Sequence, residues 1–173
     1  MKLLVVVDMQ NDFIDGALGS PEAVAILPYV KALIQGFDGK VLFTRDTHFD
    51  NYMDTQEGKK LPVPHCIKGS EGWQIHPELD ALRTTEAIDK ITFGSTELVD
   101  VIGREQSVES ITFVGLCTDI CVISNVMTVK AFYPEIPLLV DAAGCAGVTP
   151  DSHKTALAAM KMCQVEVKNE NGV

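Results

Sequence analysis

The chain has 173 residues, of which 46% are hydrophobic, and this suits one domain over residues 1–173 with a sizeable core. The formal net charge is −10 and the sequence has no basic cluster, which argues against nucleic acid as a partner. Because it shows neither an apolar run long enough for a bilayer nor a signal peptide, we expect a cytoplasmic protein without a membrane partner.

Short apolar runs alternate with helical patterns along the chain. Strands are predicted at 2–7, 40–44, 87–91, 110–114, 137–140 and 164–167, and helices at 21–37, 96–105, 119–132 and 150–163. The stretch 46–73 has no clear periodicity, and a loop of this length in a compact domain is usually functional. The alternation predicts an α/β fold, a parallel sheet with helices on both faces.

Five charged or reactive side chains fall at or just after the predicted strand ends. In parallel sheets, ligands bind beyond the carboxyl ends of the strands, where the strand order reverses. Such side chains therefore collect at one edge of the sheet, and this clustering indicates an enzyme. The residues are Asp8, Asp46, Lys90, Cys121 and Asp141.

Cys121 lies just after a strand-to-helix turn, where backbone N–H groups and the positive end of a helix dipole converge. A thiol in this place ionises more easily, and the thiolate is a nucleophile. Taken alone, the stretch fits equally well a buried cysteine that has only a packing role. If Cys121 attacks a carbonyl, the backbone N–H groups of Cys117 and Cys121 are candidates for the oxyanion hole.

Asp8 follows a wholly apolar strand and is the candidate general base. Lys90 sits in an otherwise apolar setting, where a lysine needs a partner, and its charge would oppose the effect of burial on Asp8. Each residue has a simpler interpretation, Asp8 as a strand-end cap and Lys90 as a solvated surface lysine. Both interpretations are less persuasive for two residues at strand ends near a cysteine.

A second group consists of Asp46, His48 and His65. Asp46 and His48 face the same way in an extended segment, and His65 lies on the same long loop. One carboxylate and two imidazoles suit Zn²⁺, Fe²⁺ or Mn²⁺ with open coordination positions. By spacing alone, two loop histidines are more often simply exposed. His76 and His153 are interpreted as surface residues.

Taken together and in order, these segments resemble the isochorismatase-like cysteine hydrolases, and within them the nicotinamidases. The matching segments are VVVDMQNDF (Val5–Phe13), TRDTH (Thr44–His48), PHCIKG (Pro64–Gly69), DKITFGSTEL (Asp89–Leu98), VGLCTDICV (Val114–Val122) and VDAAGCAG (Val140–Gly147).

The resemblance implies a six-stranded parallel sheet in the order 3-2-1-4-5-6 and a catalytic triad of Asp8, Lys90 and Cys121. It also implies a cis peptide bond before Cys117, which aims N–H groups at the oxyanion. The reaction it implies is amide hydrolysis through a thioester, with nicotinamide as the leading substrate and another small amide or ureide as the alternative. Many family members are oligomers, so a homo-oligomer is expected.

The resemblance further implies that Asp46, His48 and His65 hold one divalent metal ion, zinc in the first place and iron or manganese as alternatives. The metal would bind the pyridine nitrogen of the substrate, and Phe13 would pack against the ring. The chain departs from the nicotinamidase pattern at two positions that are often tryptophan, where it has Thr47 and Pro62. Its single tryptophan, Trp73, either compensates for the missing ring or covers the core or an interface.

Overall fold

The computed structural model describes residues 1–170, and residues 171–173 of the predicted domain lie outside this part of the chain. Its sheet has six strands, all paired in parallel, in the order β3-β2-β1-β4-β5-β6. This confirms the predicted fold class and strand order. The strands are β1 (Lys2–Val7), β2 (Lys40–Asp46), β3 (Ile88–Lys90), β4 (Ser110–Leu116), β5 (Leu138–Ala146) and β6 (Glu166–Lys168).

The helices include the four that the sequence pattern predicts, a short one where the pattern suggests a helical turn at 78–82, and two short ones that it does not resolve. They are α1 (Asn11–Ile14), α2 (Pro21–Gly36), α3 (Gln56–Lys60), α4 (Pro77–Asp80), α5 (Thr96–Gly103), α6 (Ile123–Phe132) and α7 (Pro150–Met162). A 3₁₀ turn (Tyr52–Asp54) precedes α3, and a π-helical turn (Thr118–Val122) leads into α6. Within residues 1–170, no helix has both the length and the apolar character to cross a membrane.

The central strand β1 explains the core. All of its residues from Leu3 to Val7 are fully buried, because neighbouring strands pair with it on both edges and its two faces are covered. Gly115 of β4 approaches this strand so closely that a Cβ would lie 2.0 Å from the carbonyl oxygen of Val7. Its φ of +122° also favours glycine. The glycine therefore lets β4 continue to Leu116, beyond the predicted end at residue 114.

The prediction that β5 ends near Asp141 is wrong. The strand continues to Ala146, so Asp141 lies within it, paired with Lys168 of β6. Its carboxylate accepts hydrogen bonds from the Tyr29 hydroxyl at 2.9 Å and from the Asn169 amide at 3.0 Å. Because these partners satisfy the buried charge, the aspartate interrupts the apolar pattern without ending the strand.

Candidate active site

Three of the side chains predicted to follow strands meet at the carboxyl edge of the sheet. Asp8 directly follows β1, Lys90 ends β3, and Cys121 lies on the π-helical turn after β4. The amino nitrogen of Lys90 lies 2.6 Å from Oδ2 of Asp8 and 3.4 Å from Sγ of Cys121. All three residues are buried. A solvated surface position for Lys90 is therefore wrong, and the predicted cluster is present.

Neighbouring side chains fix the carboxylates of this edge. The Thr44 hydroxyl donates a hydrogen bond to Oδ1 of Asp8 at 2.6 Å. The buried Gln10 amide binds both backbone groups of Asp46, accepting from its N–H at 2.7 Å and donating to its carbonyl at 2.8 Å. The same amide donates to the carbonyl oxygen of Trp73 at 2.8 Å. Gln10 thus ties the segment after β1 to the end of β2.

Burial and neighbouring charges shift the ionisation of the cluster. The expectation that the Cys121 thiol ionises more easily is wrong for the free protein: burial raises its pKa well above the usual value, and Asp8 adds to this effect while Lys90 opposes it. Burial also raises the pKa of Asp8 despite the adjacent Lys90. Burial would lower the pKa of Lys90, but Asp8, Cys121 and Asp46 more than offset it and raise that pKa. At neutral pH, a protonated thiol thus lies beside a charged ammonium group.

The π-helical turn that carries Cys121 has a defined backbone geometry. The peptide bond between Leu116 and Cys117 is cis, as the resemblance implied. The carbonyl oxygen of Cys117 accepts from the N–H groups of Ile120 at 3.1 Å and of Val122 at 3.0 Å, which closes the turn. Burial raises the pKa of the Cys117 thiol to about 12, so this second cysteine stays neutral.

A second cluster holds the three predicted metal ligands and one residue that the sequence analysis missed. Ligand atoms of Asp46, His48, Glu57 and His65 all lie within 4.8 Å of one another. Nε2 of His48 lies 3.0 Å from Asp46 Oδ2 and 3.6 Å from Glu57 Oε1. Nε2 of His65 lies 3.9 Å and 3.7 Å from the same two atoms. Glu57 reaches the cluster from α3, whose N-cap is the Thr55 hydroxyl.

The donor set fits a divalent metal ion. Nε2 of His48 is buried and has no hydrogen-bond partner in the described part of the chain, although Asp46 is close. Nδ1 of His65 lies 2.8 Å from the carbonyl oxygen of Val63, so Nδ1 carries the proton and Nε2 presents its lone pair to the cluster. Two atoms bound to one zinc ion at about 2 Å lie roughly 3.3 Å apart in tetrahedral geometry, and the histidine nitrogens here lie 3.0–3.9 Å from the carboxylate oxygens.

Both clusters border one cavity of about 980 Å³, whose lining includes Cys121, Asp46 and His65. Phe13 also lines it and packs edge-on against His65, with ring centroids 5.4 Å apart. On the loop before His65, the side chain that lines the cavity is Leu61, which is 39% exposed. The cavity wall is therefore aliphatic at Leu61, next to Pro62, the position at which nicotinamidases often have tryptophan.

Trp73 takes the second of the two roles considered for it and packs in the core. It is buried, its indole N–H donates to the Thr47 hydroxyl at 3.0 Å, and the Arg45 guanidinium stacks 3.5 Å from its ring. This contact braces Thr47 between Asp46 and His48. Trp73 in the core and Thr47, where the nicotinamidase pattern often has tryptophan, are thus hydrogen-bonded to each other.

Comparison with known proteins identifies the family of this chain. The family model named isochorismatase domain matches residues 2–170. This chain belongs to the isochorismatase family.

Within the isochorismatase family, the chain is 30% identical to the nicotinamidase/pyrazinamidase of Mycobacterium tuberculosis, over 96% of this chain and 98% of that protein. Its structure is similar to the crystal structure of nicotinamidase/pyrazinamidase from Bacillus subtilis, with a TM-score of 0.81, 27% identity and coverage of 96% and 98%. The pyrazinamidase of Pyrococcus horikoshii in complex with zinc shares the fold, with a TM-score of 0.77, 24% identity and coverage of 96% and 97%.

In this isochorismatase-family chain, sequence reasoning missed three polar residues near the two clusters: Gln10, Glu57 and His153. Gln10 lacked a signal because a buried amide after a strand looks like any turn residue. Glu57 lay in a stretch without periodicity. His153 was assigned to the surface, and this is wrong: it is half-buried and its Nδ1 lies 2.7 Å from the Thr118 hydroxyl.

Proposed function

We propose that this chain is a metal-assisted, cysteine-dependent nicotinamidase, converting nicotinamide and water to nicotinic acid and ammonia. That it is a hydrolase acting on amide bonds rests on the family and on its nicotinamidase relatives. The observation that carries the finer proposal is the Lys90 ammonium group between Asp8 and Cys121, together with the cavity that Cys121 lines and that also reaches a four-donor metal cluster.

Asp8, Lys90 and Cys121 have complementary roles in this proposal. Asp8 takes the thiol proton as Cys121 attacks the amide carbonyl, so that a carbon–sulfur bond forms and the carbonyl oxygen becomes an oxyanion. A raised pKa suits Asp8 to this task, since a base works best when its pKa is near the operating pH. Lys90 holds Asp8 in place and stabilises the developing thiolate by its charge.

The oxyanion collapses when the leaving nitrogen is protonated. Backbone N–H groups of Cys117 and Cys121 stabilise the oxyanion, and Asp8 returns its proton to the nitrogen, which leaves as ammonia. The acyl group remains on Cys121 as a thioester. Asp8 then takes a proton from water, the hydroxide attacks the thioester, and nicotinic acid leaves as the thiol is restored.

The cluster of Asp46, His48, Glu57 and His65 would hold one divalent ion. Its nitrogen and oxygen donors favour zinc, with iron or manganese as alternatives. A bound ion supplies a Lewis-acid contact for the ring nitrogen of the substrate. Phe13, at the edge of His65, packs against the ring and orients it toward Cys121.

A second candidate is the hydrolysis of another small amide or ureide by the same residues. The observation that favours it is the wall at Leu61, where the aliphatic side chain offers no ring to stack on. A cavity of about 980 Å³ also exceeds the needs of nicotinamide.

Ammonia release from nicotinamide tests the proposal directly. We expect release by the zinc-loaded protein, loss after treatment with a chelator, restoration by added zinc, and loss in Cys121→Ala. Turnover that survives chelation would remove the metal from the mechanism. If the metal-loaded protein releases no ammonia from nicotinamide but releases it from another small amide, the second candidate replaces the first.

A further inference from the structure

His153 contacts the nucleophile turn from a helix that carries none of the proposed catalytic residues. It lies in the first turns of α7, where its Nδ1 is 2.7 Å from the Thr118 hydroxyl. Thr118 is fully buried and begins the π-helical turn. It directly follows Cys117 and precedes Cys121 by less than one helical turn, so it lies between the two proposed oxyanion donors.

The start of α7 is a firm base for this contact. Thr149 and Ser152 form a reciprocal capping box, and Pro150 occupies the first helical position. A Cβ on Gly147 would lie 2.8 Å from the backbone nitrogen of His153, so the chain before the helix is packed directly against it. The imidazole is thus presented from backbone that has little freedom to move.

A second contact joins the same two segments. The carboxylate of Asp119, next to Thr118, accepts a hydrogen bond from the N–H of Val148 at 3.1 Å. The β5–α7 connection and α7 therefore together hold the nucleophile turn at two successive residues. Burial lowers the pKa of His153, although Asp119 opposes this effect. The lowered pKa keeps the imidazole neutral and able to pair with a hydroxyl.

We infer that His153 is a positioning residue, which acts through Thr118 to hold the N–H groups of Cys117 and Cys121 toward the oxyanion. The inference rests on the proposed function of the Cys121 thiol. Small displacements of such donors are costly, because a shift of about 1 Å in a catalytic geometry lowers the rate roughly 100-fold. A residue that merely fills space would be replaced without loss by any ring of similar size.

Two substitutions separate these roles. His153→Phe keeps a ring but removes the hydrogen-bonding nitrogen, whereas His153→Asn places an amide near the position of Nδ1. Thr118→Val removes the same hydrogen bond from the other side. Thr155→Ala is the matched control on α7, because within residues 1–170 the Thr155 hydroxyl donates its hydrogen bond to the Asp151 carbonyl oxygen of its own helix.

The oxyanion site is probed with nicotinamide as substrate and with pyridine-3-carbaldehyde as inhibitor. The Cys121 thiol adds to the aldehyde carbon to give a hemithioacetal, whose oxygen occupies the position of the proposed oxyanion. For His153→Phe we expect a kcat about tenfold lower with KM within about twofold, and aldehyde affinity about tenfold weaker. Alkylation of Cys121 by iodoacetamide, which needs no oxyanion donor, should stay within about twofold of wild type. His153→Asn should recover most of both losses.

The double variant of Thr118→Val and His153→Phe should lose no more than either single variant, because both remove one interaction. The inference is overturned if His153→Phe keeps wild-type kcat and aldehyde affinity, if Asn is no better than Phe, or if alkylation falls in parallel with kcat. Absence of nicotinamide turnover by the wild-type protein would reject the proposed function instead, and the aldehyde affinities would still decide the role of His153.

Discussion

The amino group of Lys90 donates a hydrogen bond to Oδ1 of Asp46 at 3.2 Å, while it also contacts Oδ2 of Asp8. One buried cation therefore neutralises a carboxylate in the thiol cluster and another in the metal cluster. Because each carboxylate comes from a different strand, Lys90 also fastens the carboxyl ends of β1, β2 and β3 together.

Lys90→Met should destabilise the fold strongly, because it leaves Asp8 and Asp46 buried without their cation. We expect a loss of about 3–5 kcal/mol in the free energy of unfolding, measured with urea at neutral pH. Lys31→Met is the control: its pair with Glu78 is exposed and screened by solvent, so we expect little change in the free energy of unfolding. Adding Asp8→Asn to Lys90→Met should restore part of the loss.

The stability difference between wild type and Lys90→Met should decrease at high pH. The pKa of Lys90 is raised in the folded protein, chiefly by Asp8 against the effect of burial. Its stabilisation is therefore complete below the ordinary lysine pKa of about 10.4 and is lost as pH rises above it. A difference between wild type and Lys90→Met that increases above pH 10 would contradict this assignment.

Asp8→Asn should have opposite effects on two reactions of Cys121. Amide hydrolysis should stop, because the base is gone. Alkylation by iodoacetamide should begin at lower pH than in wild type, because the Asp8 charge contributes to the raised pKa of the thiol. Ammonia release measures hydrolysis, and mass spectrometry of the Cys121 peptide measures its alkylation separately from that of the exposed Cys163. Alkylation that shifts to higher pH would mean that Asp8 facilitates thiolate formation in the resting enzyme.

Glu57→Gln tests the fourth donor of the metal cluster. We expect metal affinity to fall at least about tenfold, as measured by competition with a fluorescent chelator, since a neutral amide replaces a carboxylate ligand. Glu78→Gln, which removes an exposed glutamate on α4, should bind metal like wild type. Unchanged affinity in Glu57→Gln would limit the ligand set to Asp46, His48 and His65.

Gly115→Ala tests the close approach of β4 to β1. A methyl group 2.0 Å from the Val7 carbonyl oxygen, at a φ of +122°, requires the two central strands to separate. We expect a loss of roughly 3 kcal/mol or more in stability by chemical denaturation. Gly36→Ala is the matched control, because a Cβ there meets nothing within 4 Å and the position is helical. It should be neutral or stabilise by up to about 1 kcal/mol.

The sequence predicted the fold and the central cluster because these depend on strong local signals. Five buried residues before Asp8 and the apolar run before the Cys121 turn mark two strand ends, and parallel topology brings such ends together. Asp141 was misplaced because a charged residue was assumed to end its strand. The hydroxyl of Tyr29, 112 positions away in the chain, satisfies that charge and leaves no trace near it.

Glu57 and His153 show what lies beyond local patterns. Glu57 joins the metal cluster because a short capped helix, α3, interrupts the long connection and turns one face inward. His153 occupies a helix face that looks polar, and its partner Thr118 precedes it by 35 positions. Both depend on how distant segments pack, which periodicity within one segment does not report.

The strand order has a consequence for synthesis on the ribosome. Asp8, Lys90 and the whole metal cluster lie in the part of the chain that ends with β3, whereas the thiol follows β4, the neighbour of β1 on its other side. A nascent chain that ends before Ser110 contains every proposed ligand and the base but no nucleophile. Catalytic competence therefore begins only when β4 pairs along β1 and brings Cys121 to Asp8, after every proposed metal ligand has been synthesised.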